Sequence, residues 1–196
     1  MRMRPIPGRR ALARLPFLLL AALGLWLIGQ GAYIPAKAWL AQILLERAFA
    51  ESLATGAPAR PWPWADAAPI AKIRVPRLGV EEIVLSGGSG EAMAFGPTLL
   101  PGGGRLGERG TAVFAAHRDT HFRFLAELRP GDVIEIEEIS GRRMRYIAGA
   151  GRVVRYDAFA VDRHAPHPSI ALATCWPLGG TGRGPLRYVV AAEQAT

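Results

Sequence analysis

The chain has 196 residues, half of them hydrophobic and a fifth charged, with a formal net charge of +8 and a single cysteine. One cysteine excludes an internal disulfide and every zinc site that needs two or more thiolates. The charge does not mark a nucleic-acid binder: Arg2, Arg4, Arg9, Arg10 and Arg14 carry five positive charges before residue 15, leaving +3 of mixed sign, and no basic stripe or RNA-binding motif follows.

Residues 1–14 form the basic N-terminus. Leu15 to Ala36 holds no charged residue. In a helix that stretch covers about 33 Å, enough for a hydrocarbon core of roughly 30 Å. Arginines precede it and Lys37 follows, so the positive-inside rule predicts a single-pass anchor. The N-terminus is then cytoplasmic, and the remainder extracytoplasmic. The rival reading is a cleaved signal peptide, with Ala36-Lys37-Ala38 as a small-x-small site. The apolar run is longer than a signal core, which favours a retained anchor. Pro35 is expected to kink or end the span, because it disfavours helix at Ile34. A second helical pattern over 37–54 places Trp39, Leu40, Ile43, Leu44 and Ala50 on one side. It suits a stalk packed on the domain or the membrane surface, or an ordinary amphipathic helix. Residues 55–69 read TGAPARPWPWADAAP, an extended Pro-rich linker. Its Trp62 and Trp64 suit either a clamp on the domain or a membrane interface.

From residue 70 to 196 the periodicity becomes that of strands. Strands are predicted at Ile70–Val75, Val80–Leu85, Thr111–Ala116, Val133–Ile139, Met144–Ile147, Arg152–Tyr156, Ile170–Cys175 and Leu186–Ala192. A helical turn is predicted near Gly90–Phe95 and a short helix over Thr120–Leu128. The Gly- and Pro-rich stretch Gly96–Gly110 reads as loop. In Val133–Ile139 the alternation sets Ile134, Ile136 and Glu138 against Val133, Glu135, Glu137 and Ile139. About eight short strands with one or two helical turns predict a mainly β fold, a small closed barrel or a sandwich. A barrel is favoured because closure removes exposed sheet edges.

Three residues in this domain have complementary chemistry. Cys175 ends an apolar strand, and Pro177 stops the ladder just beyond it. His117 ends another apolar strand 58 residues earlier. Arg187 opens a third, 12 residues after the cysteine. A thiol becomes a useful nucleophile beside a cation or base, and histidine is the usual one. Attack on a carbonyl builds an oxyanion, for which a guanidinium offers fixed, permanently charged donors. Taken singly, each residue also has a structural reading: a buried small hydrophobe, a structural histidine, a surface arginine.

Leu172-Ala173-Thr174-Cys175, with an arginine a dozen residues on, resembles the signature of the sortases. So does Ala116-His117-Arg118-Asp119-Thr120 after an apolar strand. Trp62-Pro63-Trp64-Ala65-Asp66, His117 to Leu125 and Gly184-Pro185-Leu186-Arg187-Tyr188-Val189-Val190 look most like the sortases of Gram-negative proteobacteria. The resemblance implies an eight-stranded closed β-barrel behind a transmembrane helix in the cell inner membrane, with the barrel periplasmic, and a cysteine transpeptidase; some sortases use calcium, but no cofactor or metal is expected here. It implies that Cys175 is the nucleophile and His117 the general acid and base. Arg187 would hold substrate and oxyanion, and Thr174 would help contact substrate. Arg183 is a second candidate for the arginine role. The implied partners are a secreted or membrane-tethered target protein bearing a C-terminal sorting signal, and an amine acceptor. Ala171 and Ala116 stand where many relatives have Thr and Gly.

The remaining histidines suit structural roles: His121 on the short helix, His164 and His167 in a loop near Asp162. No cluster of loop carboxylates suited to calcium is present, since Glu135, Glu137 and Glu138 lie in a strand. Two other functions stay open at this level, a cysteine peptidase with water as acceptor and a non-catalytic, membrane-tethered binding domain. A papain-like arrangement is excluded by order, because there the cysteine precedes the histidine. The Gly-Cys motif of L,D-transpeptidases is absent.

Overall fold

The structure, a computed structural model, describes residues 8–180, 182 and 184–195. Arg2 and Arg4 of the basic N-terminus, and the alternative arginine Arg183, lie outside that range. The chain forms two compact units, one through Ala41 and one from Gln42.

Helix α1 runs over Gly8–Thr55. From Pro16 onward it is long and apolar enough to cross a membrane, with a mean hydropathy of 1.8 over its most apolar window. The expected stop at Pro35 does not occur, and both Pro16 and Pro35 lie inside the helix. An interior proline removes one donor and crowds one carbonyl, at a cost of about 3 kcal/mol. On the C-terminal side of Pro35 a run of helix-forming residues, Ala36-Lys37-Ala38 among them, continues the ladder.

In the second unit the last turns of α1 pack into the same body as the sheet. Leu45, Ala48, Phe49 and Ser52 are buried, an i, i+3, i+4, i+7 stripe. The sequence pattern pointed to a neighbouring face: Ile43 and Leu44 are only half-buried, and Ala50 is exposed. Leu45 and Phe49 join Ala67, Ile83, Leu85 and Ala92 in a small apolar cluster. The Glu46 carboxylate accepts from Lys72 Nζ at 2.8 Å, which fixes the helix edge to the sheet. Beyond Thr55 the linker lies on the same surface, with Ala65, Ala67 and Ala68 buried. Its two tryptophans part company: Trp62 meets Phe95 edge to face at 5.1 Å, while Trp64 is exposed.

Eight strands follow: β1 (Pro69–Val75), β2 (Val80–Leu85), β3 (Thr98–Leu99), β4 (Gly110–Ala115), β5 (Val133–Glu138), β6 (Arg143–Arg155), β7 (Pro168–Cys175) and β8 (Leu186–Gln194). They close into a barrel in the order β1-β2-β3-β4-β7-β8-β6-β5, with β5 returning to β1. The pairs β2–β3 and β4–β7 are parallel, and the others are antiparallel. The expected eight-stranded closed β-barrel is therefore the observed fold, with two strands redrawn. β3 is a two-residue strand inside the stretch read as loop, too short to show a period. The two strands predicted around Gly149 and Gly151 are one, β6, with a register shift between Ala148 and Gly151. A Cβ at Gly151 would run into the Tyr188 ring of β8, so a glycine is required where the two strands cross closely.

The main core fills the barrel with Phe114, Phe122, Leu125, Ile134, Ile136, Tyr146 and Leu172 among others. β5 shows the predicted alternation, with Ile134 and Ile136 inside. Glu137 faces out but is covered by Arg74 and Arg143, whose guanidinium groups donate to its carboxylate at 2.8 and 2.9 Å. β4 and β7 read as unbroken apolar runs because both of their faces are covered. Ile170 and Leu172 look into the barrel. Ala171, Ala173 and Val113 look outward into a second cluster, under Phe159 and Val161 of the β6–β7 connection and Leu100 of the β3–β4 connection.

Candidate active site

The outer cluster over β4 and β7 leads directly to the chemistry. In the parallel ladder Ala115 stands opposite Ala173. Two residues beyond each lie His117 and Cys175, so both side chains leave the same end of adjacent strands, which run roughly 4.8 Å apart. On the other side of β7, Cys175 pairs with Arg187 of β8. Period-2 alternation sets the direction of each side chain. Thr174 turns inward, and Cys175, like Ala173 and Ala171, turns to the outer face. His117, Cys175 and Arg187 line one hollow of about 320 Å³. Small Ala115 and Ala173 form part of its floor, and Tyr156, Phe159, Leu100 and Met93 contribute its apolar walls.

Each member is held by its own strand end and one or two further contacts. The buried Thr174 hydroxyl donates to the carbonyl of Ala116 at 2.7 Å. The Ala116 N–H in turn donates to the Ala173 carbonyl at 3.3 Å. His117 therefore follows directly on a residue bonded to the cysteine strand. After it the backbone turns back, with the Phe122 N–H on the His117 carbonyl at 3.1 Å. Arg118 is 7% exposed, and its Nη1 donates to the Pro177 carbonyl at 3.1 Å, two residues past the cysteine. Its Nε reaches Asp119 at 3.2 Å. The segments carrying His117 and Cys175 are thus tied on both flanks, at Ala116–Thr174 and at Arg118–Pro177.

Arg187 donates through Nη1 to the carbonyls of Gly184, at 2.9 Å, and Leu186, at 2.8 Å. Both of its hydrogen bonds among the described residues use that nitrogen, and the residue lines the hollow. Its Cζ stands 5.7 Å from the centroid of the Tyr156 ring, a cation–π distance. Trp176 stacks on Tyr188 at 5.8 Å, bracing the residues that follow Cys175 and Arg187.

Thr174 sits beside the hollow with its hydroxyl turned away from it and bonded to backbone. His121 lies in the turn before the 3₁₀ segment Arg123–Ala126, where its Nδ1 meets Glu82 at 2.7 Å. His164 and His167 are exposed, and the Asp162 carboxylate accepts from the His164 backbone N–H at 2.8 Å. Among the described residues no three His, Cys, Asp or Glu side chains gather in a metal-binding arrangement.

Sequence reasoning missed Met93, Tyr156, Phe159 and Arg118. The signal for Phe159 was an apolar residue in a polar connection, and for Arg118 its place next to the histidine. Met93 and Tyr156 had only their ordinary places in a turn and at a strand end.

Comparison with known proteins bears on the whole barrel. The sequence pattern of the Sortase domain matches residues 73–195, more than half of the chain. Sortase D of Bacillus subtilis (strain 168) is 24% identical over 124 residues, 63% of this chain, and the chain spans 63% of the length of that relative. A Clostridium perfringens Sortase D5 transpeptidase superposes with a TM-score of 0.63 at 21% identity, covering 80% of this chain and 99% of its own. Clostridium perfringens sortase C, solved with a C-terminal cell wall sorting motif, gives 0.60 at 18% identity, with 82% and 90% covered. These last two likenesses speak for the fold, and the domain match for descent. A barrel of this strand order, and a domain pattern spanning it from β1 to the end of β8, make the chain a member of the sortase family.

Proposed function

We propose that the protein is a membrane-anchored cysteine transpeptidase, with Cys175 as nucleophile, His117 as general acid and base, and Arg187 as oxyanion and substrate ligand. The observation that carries this reading is the in-register exit of His117 and Cys175 from parallel neighbours, with Arg187 opposite the cysteine on the same hollow.

The reaction follows from the groups present. The Cys175 thiolate attacks the carbonyl carbon of a peptide bond, and a C–S bond forms as the carbonyl electrons move onto oxygen. Arg187, which lines the hollow, stabilises that oxyanion through its guanidinium donors. Collapse breaks the C–N bond while imidazolium His117 gives its proton to the leaving amine, and a thioester remains. An incoming amine attacks the thioester and loses a proton to His117. The new C–N bond replaces the C–S bond, and the thiolate returns. Thr174 takes part through position, since its hydroxyl holds Ala116 beside His117.

The substrate would be the C-terminal sorting signal of a secreted or membrane-tethered protein, as the sorting motif bound to the Clostridium sortase C suggests. The apolar walls of Tyr156, Phe159, Leu100 and Met93 suit an aliphatic side chain of that signal. The apolar run behind N-terminal arginines supports a single-pass anchor with a cytoplasmic N-terminus and an extracytoplasmic barrel. The segments around Trp62, His117 and Arg187 support kinship with the proteobacterial branch, and with it a periplasmic placement.

The test is intact-mass spectrometry of the full chain in detergent with a library of sorting-type peptides. An acyl adduct on Cys175 that an added amine discharges into a new amide supports the proposal. Discharge to free acid alone assigns a peptidase. Absence of adduct and cleavage across the library leaves a binding domain and overturns the enzyme assignment.

A further inference from the structure

The 3₁₀ turn Ala92–Ala94 separates two features that the mechanism treats as unrelated, the membrane-proximal helix with its linker and the catalytic hollow. In a 3₁₀ turn, residues three apart share a face, and the next residue along points a third of a turn away. Ala92 and Phe95 are such a pair. Ala92 is buried in the cluster with Leu45 and Phe49 of α1, and Phe95 packs against that cluster. Met93 points the other way and lines the hollow with Cys175.

The far side of this turn is tied down at three points. Trp62 of the linker meets the Phe95 ring at 5.1 Å, edge to face. Gln42 of α1 donates through Nε2 to the Phe95 carbonyl at 2.9 Å. Ser89 accepts from the Ala92 N–H at 3.1 Å and reaches the Asp66 carboxylate at 3.5 Å. The chain just past the turn is fixed as well: a Cβ at Gly96 would stand 2.5 Å from the Ile83 carbonyl, so backbone packs on backbone there. Met93, half-buried, is the residue of the turn that lines the hollow.

We propose that Gln42 and Trp62 are positioning residues for the substrate hollow: through Phe95 they fix the turn that presents Met93, so the membrane-proximal helix and linker set the width of the apolar wall facing Cys175. The inference rests on the hollow being the substrate site, and it adds a structural reason for the helix and linker to pack on the barrel. The stretch from Gln42 to Trp62 is thereby part of the pocket's frame.

Cys175 is the only thiol in the chain, which permits a test that needs no knowledge of the peptide. The full chain in detergent micelles is alkylated with iodoacetamide, a small polar reagent, and in parallel with N-benzylmaleimide, whose ring must enter the hollow. Rates are read by intact mass for wild type, Met93→Ala, Trp62→Ala and Gln42→Ala, with thermal melts on each to establish folding. Gln42 is exposed, so its variant tests the link without opening the core. The expected result is a ratio of benzyl to iodoacetamide rates that shifts in all three variants, by about fourfold for each methylene-sized contact altered, with the iodoacetamide rate near wild type. A ratio moved by Met93→Ala but by neither Trp62→Ala nor Gln42→Ala overturns the proposal, as does one moved by none. A ratio that shifts as expected while no sorting peptide forms an adduct sustains the brace and counts against the transpeptidase alone.

Discussion

The Thr174 hydroxyl donates to the Ala116 carbonyl at 2.7 Å, joining the residue before Cys175 to the residue before His117 across 58 positions of sequence. Both groups are buried, so neither finds water if the bond is lost. Thr174→Val keeps the shape and removes the donor, leaving a buried carbonyl short of a partner. That costs about 1–3 kcal/mol and lowers Tm by roughly 3–10 °C. Thr174→Ser restores most of the loss. If the hydroxyl acts by position, turnover falls with stability in the Val variant and recovers in the Ser variant, as calorimetry and peptide kinetics on one set of samples will show.

The assignment of roles predicts a graded series. Cys175→Ala gives no adduct. His117→Ala lowers kcat/KM by about 10²–10⁴, the usual worth of a general acid–base group. Arg187→Ala lowers it by about 10²–10³, and Arg187→Lys recovers little, because an ammonium lacks the planar fork. Arg183→Ala stays near wild type. A dead Arg183→Ala beside an active Arg187→Ala would reverse the arginine assignment. Because thiolate and imidazolium must coexist, kcat/KM is bell-shaped in pH, and a profile flat from about pH 6 to 9 would refute the pairing.

Arg118 joins the histidine segment to the Pro177 carbonyl at 3.1 Å without lining the hollow. Arg118→Leu releases that link and lets His117 and Cys175 drift. The expectation is a kcat reduced about tenfold to a hundredfold at nearly constant KM, since sub-ångström orientation governs the chemical step more than binding. A change confined to KM would place Arg118 in substrate recognition instead.

Phe49 and Leu45 are buried between the helix and the sheet, although they precede the Pro-rich linker. Phe49→Ala is expected to cost about 3–5 kcal/mol. A chain shortened to begin at Gly56 exposes the underside of that cluster and melts well below one that begins at Gln42. Equal melting curves for the two would show that the helix contributes nothing to the barrel.

Asp132 accepts hydrogen bonds from Arg77 and from the Arg129 N–H, and the Arg77 guanidinium foremost holds its carboxyl down to about 2. An unfolded aspartate titrates near about 3.9. The folded state therefore binds the proton less readily. Its stabilisation is complete above the unfolded value and is lost as pH falls through the folded one. The difference in urea stability between wild type and Asp132→Asn is expected to be constant at neutral pH, to start shrinking near about pH 5, to be much reduced by about pH 2 and to be lost toward about pH 1. A difference that persists unchanged at pH 2 would exclude this carboxylate as its source.

Where one face or both faces of a strand carried a clear pattern, the sequence was enough. β5 alternates because only its inner face meets the core, and β4 and β7 are apolar throughout because Phe159, Val161 and Leu100 cover their outer faces. The gathering of Cys175, His117 and Arg187 on one hollow was legible, since each ended or opened an apolar run. What escaped reading depends on partners far away in the chain. The buried face of α1 was misplaced because Leu45 and Phe49 answer to Ile83 and Leu85, and Trp39 and Leu40 mimic the same period. β3 has two residues and no period of its own. Met93 is selected by a turn whose other side is held by Phe95, and local composition carries no trace of that.

The parallel pairing of β4 with β7 also governs when the site can exist. Strands side by side and pointing the same way cannot be joined by a tight turn, and here β5, β6 and two long connections intervene. Contacts of such sequence separation are entropically late, because a large loop must close before they reward the chain. Until β7 docks between β4 and β8, Cys175 has neither His117 nor Arg187 beside it and is an ordinary thiol. The reactivity proposed for Cys175 is thus a property of the finished barrel, and a chain still folding carries its one thiol in an unactivated form.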